Sequence, residues 1–135
     1  MHLSLIDPSR VDRAWADGAD CLAEACETSG GEIEGPQLKM ILSRGERSLV
    51  AMVDDGKPVG WAVFRIDQLP NFRVFYITDL VAPNVGFENY WPQVLEMANG
   101  YGCSRVRCAA KPAQARLYRQ KLGFQPVYEV LEVLT

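Results

Sequence analysis

The clearest structural signal in this chain is one segment near its C-terminal end, Ala115-Arg116-Leu117-Tyr118-Arg119-Gln120-Lys121-Leu122-Gly123-Phe124. Leu117, Lys121 and Leu122 recur at helical spacing, and Gly123 stands where a left-handed residue commonly ends a helix. In residues 125–133, β-branched and aromatic residues alternate with polar ones, which predicts a strand. The chain is therefore expected to close with an amphipathic helix that runs into a C-terminal strand.

The residues before this segment show alternating strand and helix signals. Asp7-Pro8 predicts a helix start, and Asp54-Asp55-Gly56-Lys57 predicts a tight hairpin turn. Apolar periodicity then predicts strands over 3–6, 49–53, 58–66, 72–81 and 105–109, and helices over 8–28, 36–43 and 92–99. Together with the closing segment, these signals predict an α+β fold in one domain spanning residues 1–135.

Composition limits the classes of partner. Of the 135 residues 48% are hydrophobic, and 14 basic residues against 17 acidic ones give a net charge of −3. A chain of this length can bury a substantial core, and its charge gives no reason to expect a nucleic-acid partner. Small molecules, basic peptides and amines remain open as ligands.

The cysteines do not form a metal motif. Cys21 and Cys26 are five residues apart, as are Cys103 and Cys108, and His2 is the only histidine. Zinc ligands are usually paired two to four residues apart, so we expect reduced thiols and no metal. The sequence shows no secretory signal and no apolar run of membrane-spanning length, which favours a cytoplasmic protein without a membrane partner.

The order of the elements resembles the GNAT acetyltransferase superfamily. The resemblance covers the whole chain and is carried by the Gly60-centred hairpin strand, the strand end Leu80-Val81-Ala82-Pro83 and the terminal Leu-Tyr-x-x-x-Leu-Gly-Phe. It implies a mixed, mostly antiparallel twisted sheet that is flanked by helices and splayed between its fourth and fifth strands. The chain is also similar to short, divergent GNAT-like proteins encoded by bacteriophages.

The resemblance implies a binding cleft for acetyl-CoA. Backbone groups of Leu80, Val81 and Ala82 would pair with the pantetheine amides as an added strand does. Tyr118 would be the acid that protonates the departing thiolate, although a tyrosine in such a helix can equally pack its ring on the sheet. Asp79, beside the cleft, is the best candidate for a general base; the alternative is a turn or capping partner.

The expected diphosphate loop departs from the family pattern. Asn84-Val85-Gly86-Phe87-Glu88-Asn89-Tyr90-Trp91-Pro92 contains a single glycine, and Glu88 would repel phosphate. Gly86, Lys111 and Arg116 are the remaining candidates for phosphate contacts, although Lys111 and Arg116 could simply form a solvated helix face. The aromatic residues of this loop could form an exposed protein-binding patch or seal a degenerate site.

Two functions follow from the resemblance. The first is an N-acyltransferase that moves an acetyl group from acetyl-CoA to a primary amine, on a small molecule or a peptide, by direct attack. The second is a catalytically inactive GNAT-like fold that binds a protein partner, as a phage virion or host-interaction component would. The resemblance also allows a homodimer formed through terminal strands.

Overall fold

The computed structural model describes residues 1–82 and 86–135, and their strands form one five-stranded sheet. The strands are β1 (His2–Ile6), β2 (Ser48–Asp54), β3 (Lys57–Gln68), β4 (Arg73–Val81) and β5 (Arg105–Cys108). They lie in the order β1-β2-β3-β4-β5, antiparallel except for the parallel pair β4–β5. The predicted loop start, Pro83 to Val85, lies outside the described residues.

Five α-helices cover the two faces of the sheet. They are α1 (Val11–Ala16), α2 (Leu22–Cys26), α3 (Gly35–Ser43), α4 (Trp91–Gly100) and α5 (Pro112–Leu122). Among the residues described, none of the helices is both long enough and apolar enough to cross a membrane.

The hairpin between β2 and β3 forms where the turn residues predict it. Asp55 (φ 53°) and Gly56 (φ 74°) both adopt the left-handed conformation, which a two-residue turn of this kind requires. Because the turn fixes the register, Leu49 lies opposite Val63 and Ala51 opposite Trp61. The predicted strand pair is confirmed, with each strand a little longer than its apolar run.

The prediction of one long helix over residues 8–28 is wrong. The segment breaks into α1 and α2, which are separated by a short 3₁₀ turn that begins after Gly18. Gly18 has φ 124°, a conformation outside the helical region that side-chain-bearing residues rarely adopt. The apolar residues keep a roughly helical spacing across Gly18 because both short helices pack on the same face of the sheet.

The two faces of the sheet carry separate apolar cores. One core lies under α1, α2 and α3, and its buried residues include Val11, Leu22, Leu38, Leu49 and Val63. The other lies under α4 and is built around Val50, Phe64, Phe75, Ile77 and Val94. Phe64 and Phe75 stack with their ring centroids 4.2 Å apart. Burial on both faces fixes which way each strand residue must point.

The sheet parts between β4 and β5, as expected for the predicted fold class. Their parallel ladder runs from Val74 opposite Arg105 to Ile77 opposite Cys108 and ends there. β4 nevertheless continues to Val81 and remains paired with β3 on its other side. The last residues of β4 therefore present one edge that no described strand covers.

A β-bulge in β4 changes which residues face the parted end. Ile77 lies opposite Phe64 and Asp79 lies opposite Val63, so Thr78 is an extra residue on β4. In a regular strand Asp79 would point to the same side as Ile77, because the side-chain period is two. The bulge instead turns Asp79 to the side of Val63, toward α2.

The C-terminal prediction is confirmed for the helix and wrong for the strand. α5 ends at Leu122, and Gly123 adopts the left-handed conformation with φ 76° and ψ 18°. Residues 124–135 are not in a strand, and a groove separates Val127 from Arg105–Arg107 of β5. The alternating pattern is present, but the segment runs beside the open edge of β5 without reaching hydrogen-bonding distance, which a strand requires.

Candidate active site

A small cavity, here called the cleft cavity, lies where β4 and β5 part. Its volume is about 80 Å³. The walls come from the end of β4, the end of β5, α2 and one face of α5: Ala25, Thr28, Ile77, Thr78, Asp79, Leu80, Cys108, Ala109, Gln114, Tyr118 and Leu122, with Phe87 and Phe124 closing one end. The two predicted catalytic residues, Asp79 and Tyr118, therefore both line the same space.

Asp79 is a largely buried carboxylate with few partners. Thr78 Oγ1 donates a hydrogen bond of 2.8 Å to its Oδ2, and Arg47 Nη1 lies 3.8 Å from the same oxygen. Burial raises the pKa of Asp79, and this effect outweighs the hydrogen bond and the positive charge of Arg47, which both lower it. A raised pKa makes the ionised carboxylate a better proton acceptor than a surface aspartate.

Tyr118 faces the cavity from α5. Its ring lies 5.8 Å from that of Phe124, centroid to centroid, and its hydroxyl forms no hydrogen bond with the residues that the structure describes. Burial, and to a lesser extent the neighbouring Cys108 thiol, raises the pKa of Tyr118 above its usual 10.0. The phenol is therefore protonated across the physiological pH range and can donate its proton.

The Cys108 thiol also lines the cavity, but it is a poor nucleophile. Burial raises its pKa to about 11. Because the thiolate is the reactive form, only a very small fraction of Cys108 could attack an acyl group near neutral pH. Cys108 is therefore not a candidate for a covalent nucleophile at this site.

The predicted strand-end residues lie along the uncovered edge of β4. Leu80 lines the cleft cavity and packs toward the core under α4. Val81 pairs with Trp61 of β3 and packs toward the opposite core, and Ala82 follows directly after the strand. Their free backbone groups fit an amide-bearing chain laid alongside as an added strand.

The far end of the cleft cavity is closed by a set of contacts that we call the latch: Phe87, Glu88, Trp91, Lys121 and Phe124. The ring of Trp91 lies 5.8 Å from Phe87 and 5.3 Å from Phe124. Glu88 Oε1 accepts a 3.4 Å ionic hydrogen bond from Lys121 Nζ. The latch joins the 3₁₀ turn before α4 to the end of α5, across the place where the resemblance expects phosphates.

The latch does not fit a diphosphate. A side chain at Gly86 would meet the Glu88 carboxylate, whose Oε1 lies 2.8 Å from the Cβ position, so this carboxylate occupies the space beside the turn. Backbone hydrogen bonding, with a smaller contribution from Lys121, lowers the pKa of Glu88 and keeps it ionised. A fixed negative charge here opposes phosphate binding unless the Glu88–Lys121 pair separates.

The interpretation of this loop as an exposed aromatic patch is wrong. Tyr90 is fully buried, and its hydroxyl donates a 3.2 Å hydrogen bond to the Val53 carbonyl. Phe87 and Trp91 are half-buried against the latch and the core under α4. Buried phenols need a hydrogen-bond acceptor, and Val53 supplies it at the end of the β2–β3 hairpin.

The two predicted basic contacts lie apart from the cleft cavity. Arg116 lines a shallow depression on the outer face of α5 together with Arg119. Lys111, just before α5, lines a larger groove with a volume of about 820 Å³. We call this space the acceptor groove; it runs from α3 across β3 and β4 to the start of α5.

The acceptor groove meets the cleft cavity at Asp79. The two spaces share six lining residues. Thr78 and Asp79 come from β4, Ala25 and Thr28 from α2 and the turn after it, and Ala109 and Gln114 from the end of β5 and the start of α5. Arg47 and Arg65 also line the groove, and sequence analysis did not predict either as a site residue. In the sequence, the position of Arg65 could have been inferred only from the alternation along β3, which places Arg65 on the same face of the sheet as Val63.

Comparison with known proteins gives matches to solved structures alone. No protein-family model matches the chain, and no curated protein matches it in sequence. No group of three or more histidine, cysteine, aspartate or glutamate side chains is placed to hold a metal ion within residues 1–82 and 86–135.

Several solved structures with this fold are described as acetyltransferases. A probable acetyltransferase matches with a TM-score of 0.70 and 14% identity, covering 100% of this chain and 97% of that one. The ribosomal-protein-alanine N-acetyltransferase from Brucella melitensis biovar Abortus 2308 gives a TM-score of 0.70 at 11% identity, with both chains fully covered. Aminoglycoside acetyltransferase HMB0005, from an uncultured soil metagenomic sample, gives 0.68 at 17%, covering 100% and 99%. At these identities the likeness shows a shared, GNAT-like fold.

Proposed function

We propose that this protein is an N-acetyltransferase that transfers the acetyl group of acetyl-CoA to a primary amine. One observation carries the proposal: a buried, weakly paired Asp79 and a protonated Tyr118 both line the cleft cavity, at the point where the edge of β4 is free. The acetyltransferase fold of the structural neighbours supports the same reaction class.

In this reaction the amine nitrogen forms a bond to the acetyl carbon, and the carbon–sulfur bond of the thioester breaks. Asp79, directly or through a water molecule, accepts the proton that the amine loses. Tyr118 donates its proton to the departing thiolate. The free edge of β4 from Leu80 to Ala82 aligns the amide-bearing arm of the donor, so that the thioester reaches the space between the two side chains.

The latch favours a second candidate function. Phe87, Trp91 and Phe124 pack together at the diphosphate end of the cleft, and the ionised Glu88 beside them is paired with Lys121, so this end holds a carboxylate where a phosphate would bind. A chain that never opens the latch would bind no acetyl-CoA and would serve as a protein-binding module with this fold.

Isothermal titration of the purified protein with acetyl-CoA and with CoA, at low salt, separates the two functions. We expect micromolar binding, followed by thiol release from acetyl-CoA when amines are added. Tyr118→Phe should retain binding and lower kcat by about 10²-fold, the usual scale of acid catalysis. Absence of binding at millimolar ligand would overturn the acetyltransferase proposal and favour the binding module.

A further inference from the structure

We infer that the acceptor carries an anionic group, a carboxylate or a phosphate, in addition to the amine that is acetylated. The inference rests on the proposed function, because it concerns the acceptor of that reaction. It begins with the charges around the acceptor groove, whose walls contain four cations, Arg44, Arg47, Arg65 and Lys111, and two carboxylates, Glu32 and Asp79.

Of the four cations, Arg65 has the side chain that its contacts orient best for binding an anion. Its Nε donates to Asp67, with a 3.0 Å distance to Oδ1, and its guanidinium carbon lies 4.3 Å from the centre of the Tyr76 ring. These two contacts orient the guanidinium, while its terminal nitrogens form no hydrogen bonds to the residues that the structure describes. A guanidinium held in this way offers a ready pair of donors to a carboxylate or phosphate.

The register of the sheet places this guanidinium on the reaction side. Arg65 lies opposite Tyr76, and Val63, two residues earlier on β3, lies opposite Asp79. Two residues along a strand span about 7 Å, and positions two apart share a face. An acceptor bound at Arg65 can therefore extend along the groove to bring its amine to Asp79.

The other cations strengthen this end of the groove. Lys111 forms no ion pair with the part of the chain that the structure describes, and Arg47 lies only loosely against Asp79, at 3.8 Å. Arg44 pairs with Glu46 and Arg65 with Asp67, so the attraction for an anion comes from Lys111 and from the terminal nitrogens that Arg65 leaves free. The acceptor class that fits is an amine with an acidic tail, whereas a polycationic acceptor is disfavoured.

The test compares acceptors that differ only in the tail. With acetyl-CoA present, kcat/KM is measured for 5-aminopentanoate and 4-aminobutylphosphonate, for the neutral 5-aminopentanamide, and for cadaverine. We expect an anionic acceptor to exceed the neutral one at least tenfold, with cadaverine the poorest, and we expect salt to reduce the difference. Comparison of the carboxylate acceptor with the phosphonate acceptor shows which anion the groove prefers.

Two variants assign the preference to Arg65. Arg65→Gln should abolish the advantage of the anionic acceptor, so that the ratio of kcat/KM for the anionic acceptor to that for the neutral acceptor falls to about one. Arg13→Gln, an exposed arginine on α1, is the matched loss of one charge and should change neither. A neutral or cationic acceptor preferred by the wild type, or an equal loss of all rates in Arg65→Gln, would overturn the inference.

A direct binding measurement tests the anion site independently of whether the protein transfers acetyl groups. Calorimetric titration of 5-aminopentanoate and 5-aminopentanamide into wild type and Arg65→Gln requires no turnover. Tighter binding of the carboxylate, lost in Arg65→Gln, supports the anion site even if no acetyl transfer occurs. Equal binding of the two compounds overturns it even if acetyl transfer is observed with other amines.

Discussion

At the scale of single residues, the chemistry of the site depends on how Asp79 is buried. Its carboxylate lies between the cleft cavity and the acceptor groove, with Thr78 and Arg47 as its polar neighbours. Burial without full compensation raises the pKa and leaves a group that is costly for folding but useful for proton transfer. Function and stability therefore make opposite demands on this position.

Asp79→Asn should separate these two demands. We expect kcat to fall by about 10²- to 10³-fold, because the proton acceptor is lost. The melting temperature should stay the same or rise, because an amide is cheaper to bury than a carboxylate near neutral pH. Steady-state kinetics and thermal unfolding measure the two effects, with Asp20→Asn, on an exposed carboxylate, as the control. An unchanged kcat would remove Asp79 from the mechanism.

The pH dependence of kcat should have a single limb below pH 10. Asp79 must be ionised to accept a proton, so the rate should fall as the pH drops through its pKa, which burial raises above the usual 3.8. Tyr118 must be protonated, and its pKa lies above 10.0, so no descending limb should appear at lower pH. A pH profile at saturating acceptor checks both limbs; a decline between pH 7 and 9 would contradict the role of Tyr118.

At the scale of the elements, the latch decides whether the cleft can admit a CoA ester. The 3₁₀ turn Phe87–Asn89 and the end of α5 are joined by the Glu88–Lys121 ion pair and by Trp91 packed between two phenylalanines. The ion pair is solvent-exposed, and pairs of that kind contribute little to stability. The packed rings, and the charge of Glu88, are therefore the larger obstacles to opening.

Glu88→Gln should strengthen binding of CoA. The substitution keeps the shape of the side chain, removes the negative charge and frees Lys121 to meet a phosphate. We expect the dissociation constant to fall several-fold at low salt, and we expect the gain to shrink as salt increases. Glu96→Gln, on the exposed face of α4, removes the same charge elsewhere. Equal or weaker binding by Glu88→Gln would show that this carboxylate does not oppose the phosphates.

The sequence predicted those elements whose signals are local. Asp55-Gly56 and Gly123 mark a turn and a helix end through backbone conformations that few residues adopt, and both lie where predicted. It also placed Asp79 and Tyr118 near one another, through the resemblance. The bulge at Thr78 and the position of Arg65 in the acceptor groove were not predicted, because both depend on register between strands, which an individual strand pattern does not contain.

At the scale of the whole molecule, the C-terminal segment is the part least integrated into the fold. Residues 125–135 are exposed throughout, with Val130, Leu131, Val133 and Leu134 each more than 80% exposed. An apolar segment of alternating pattern beside the open edge of β5 is a hazard for self-association. The strand prediction failed here because a suitable pattern does not by itself bring the chain into pairing distance.

Removal of residues 126–135 should leave the domain folded. We expect the melting temperature to change by less than about 4 °C, which corresponds to roughly 1 kcal/mol for a domain of this size. Concentration-dependent light scattering should decrease, since the exposed apolar side chains are gone. A large loss of stability on truncation would show that the segment pairs with the domain, or with a second copy of it, in solution.

The bulge in β4 separates residues that pack the core from residues that face only the two spaces. Phe75 and Ile77 pack in the core under α4, whereas Thr78 and Asp79 face the cleft cavity and the acceptor groove. Because the bulge changes the alternation at Thr78, substitutions at Thr78 and Asp79 need not disturb the packing of Phe75 and Ile77. Descendants of such a chain could exchange one acceptor for another, or abandon catalysis altogether, and still inherit the same architecture.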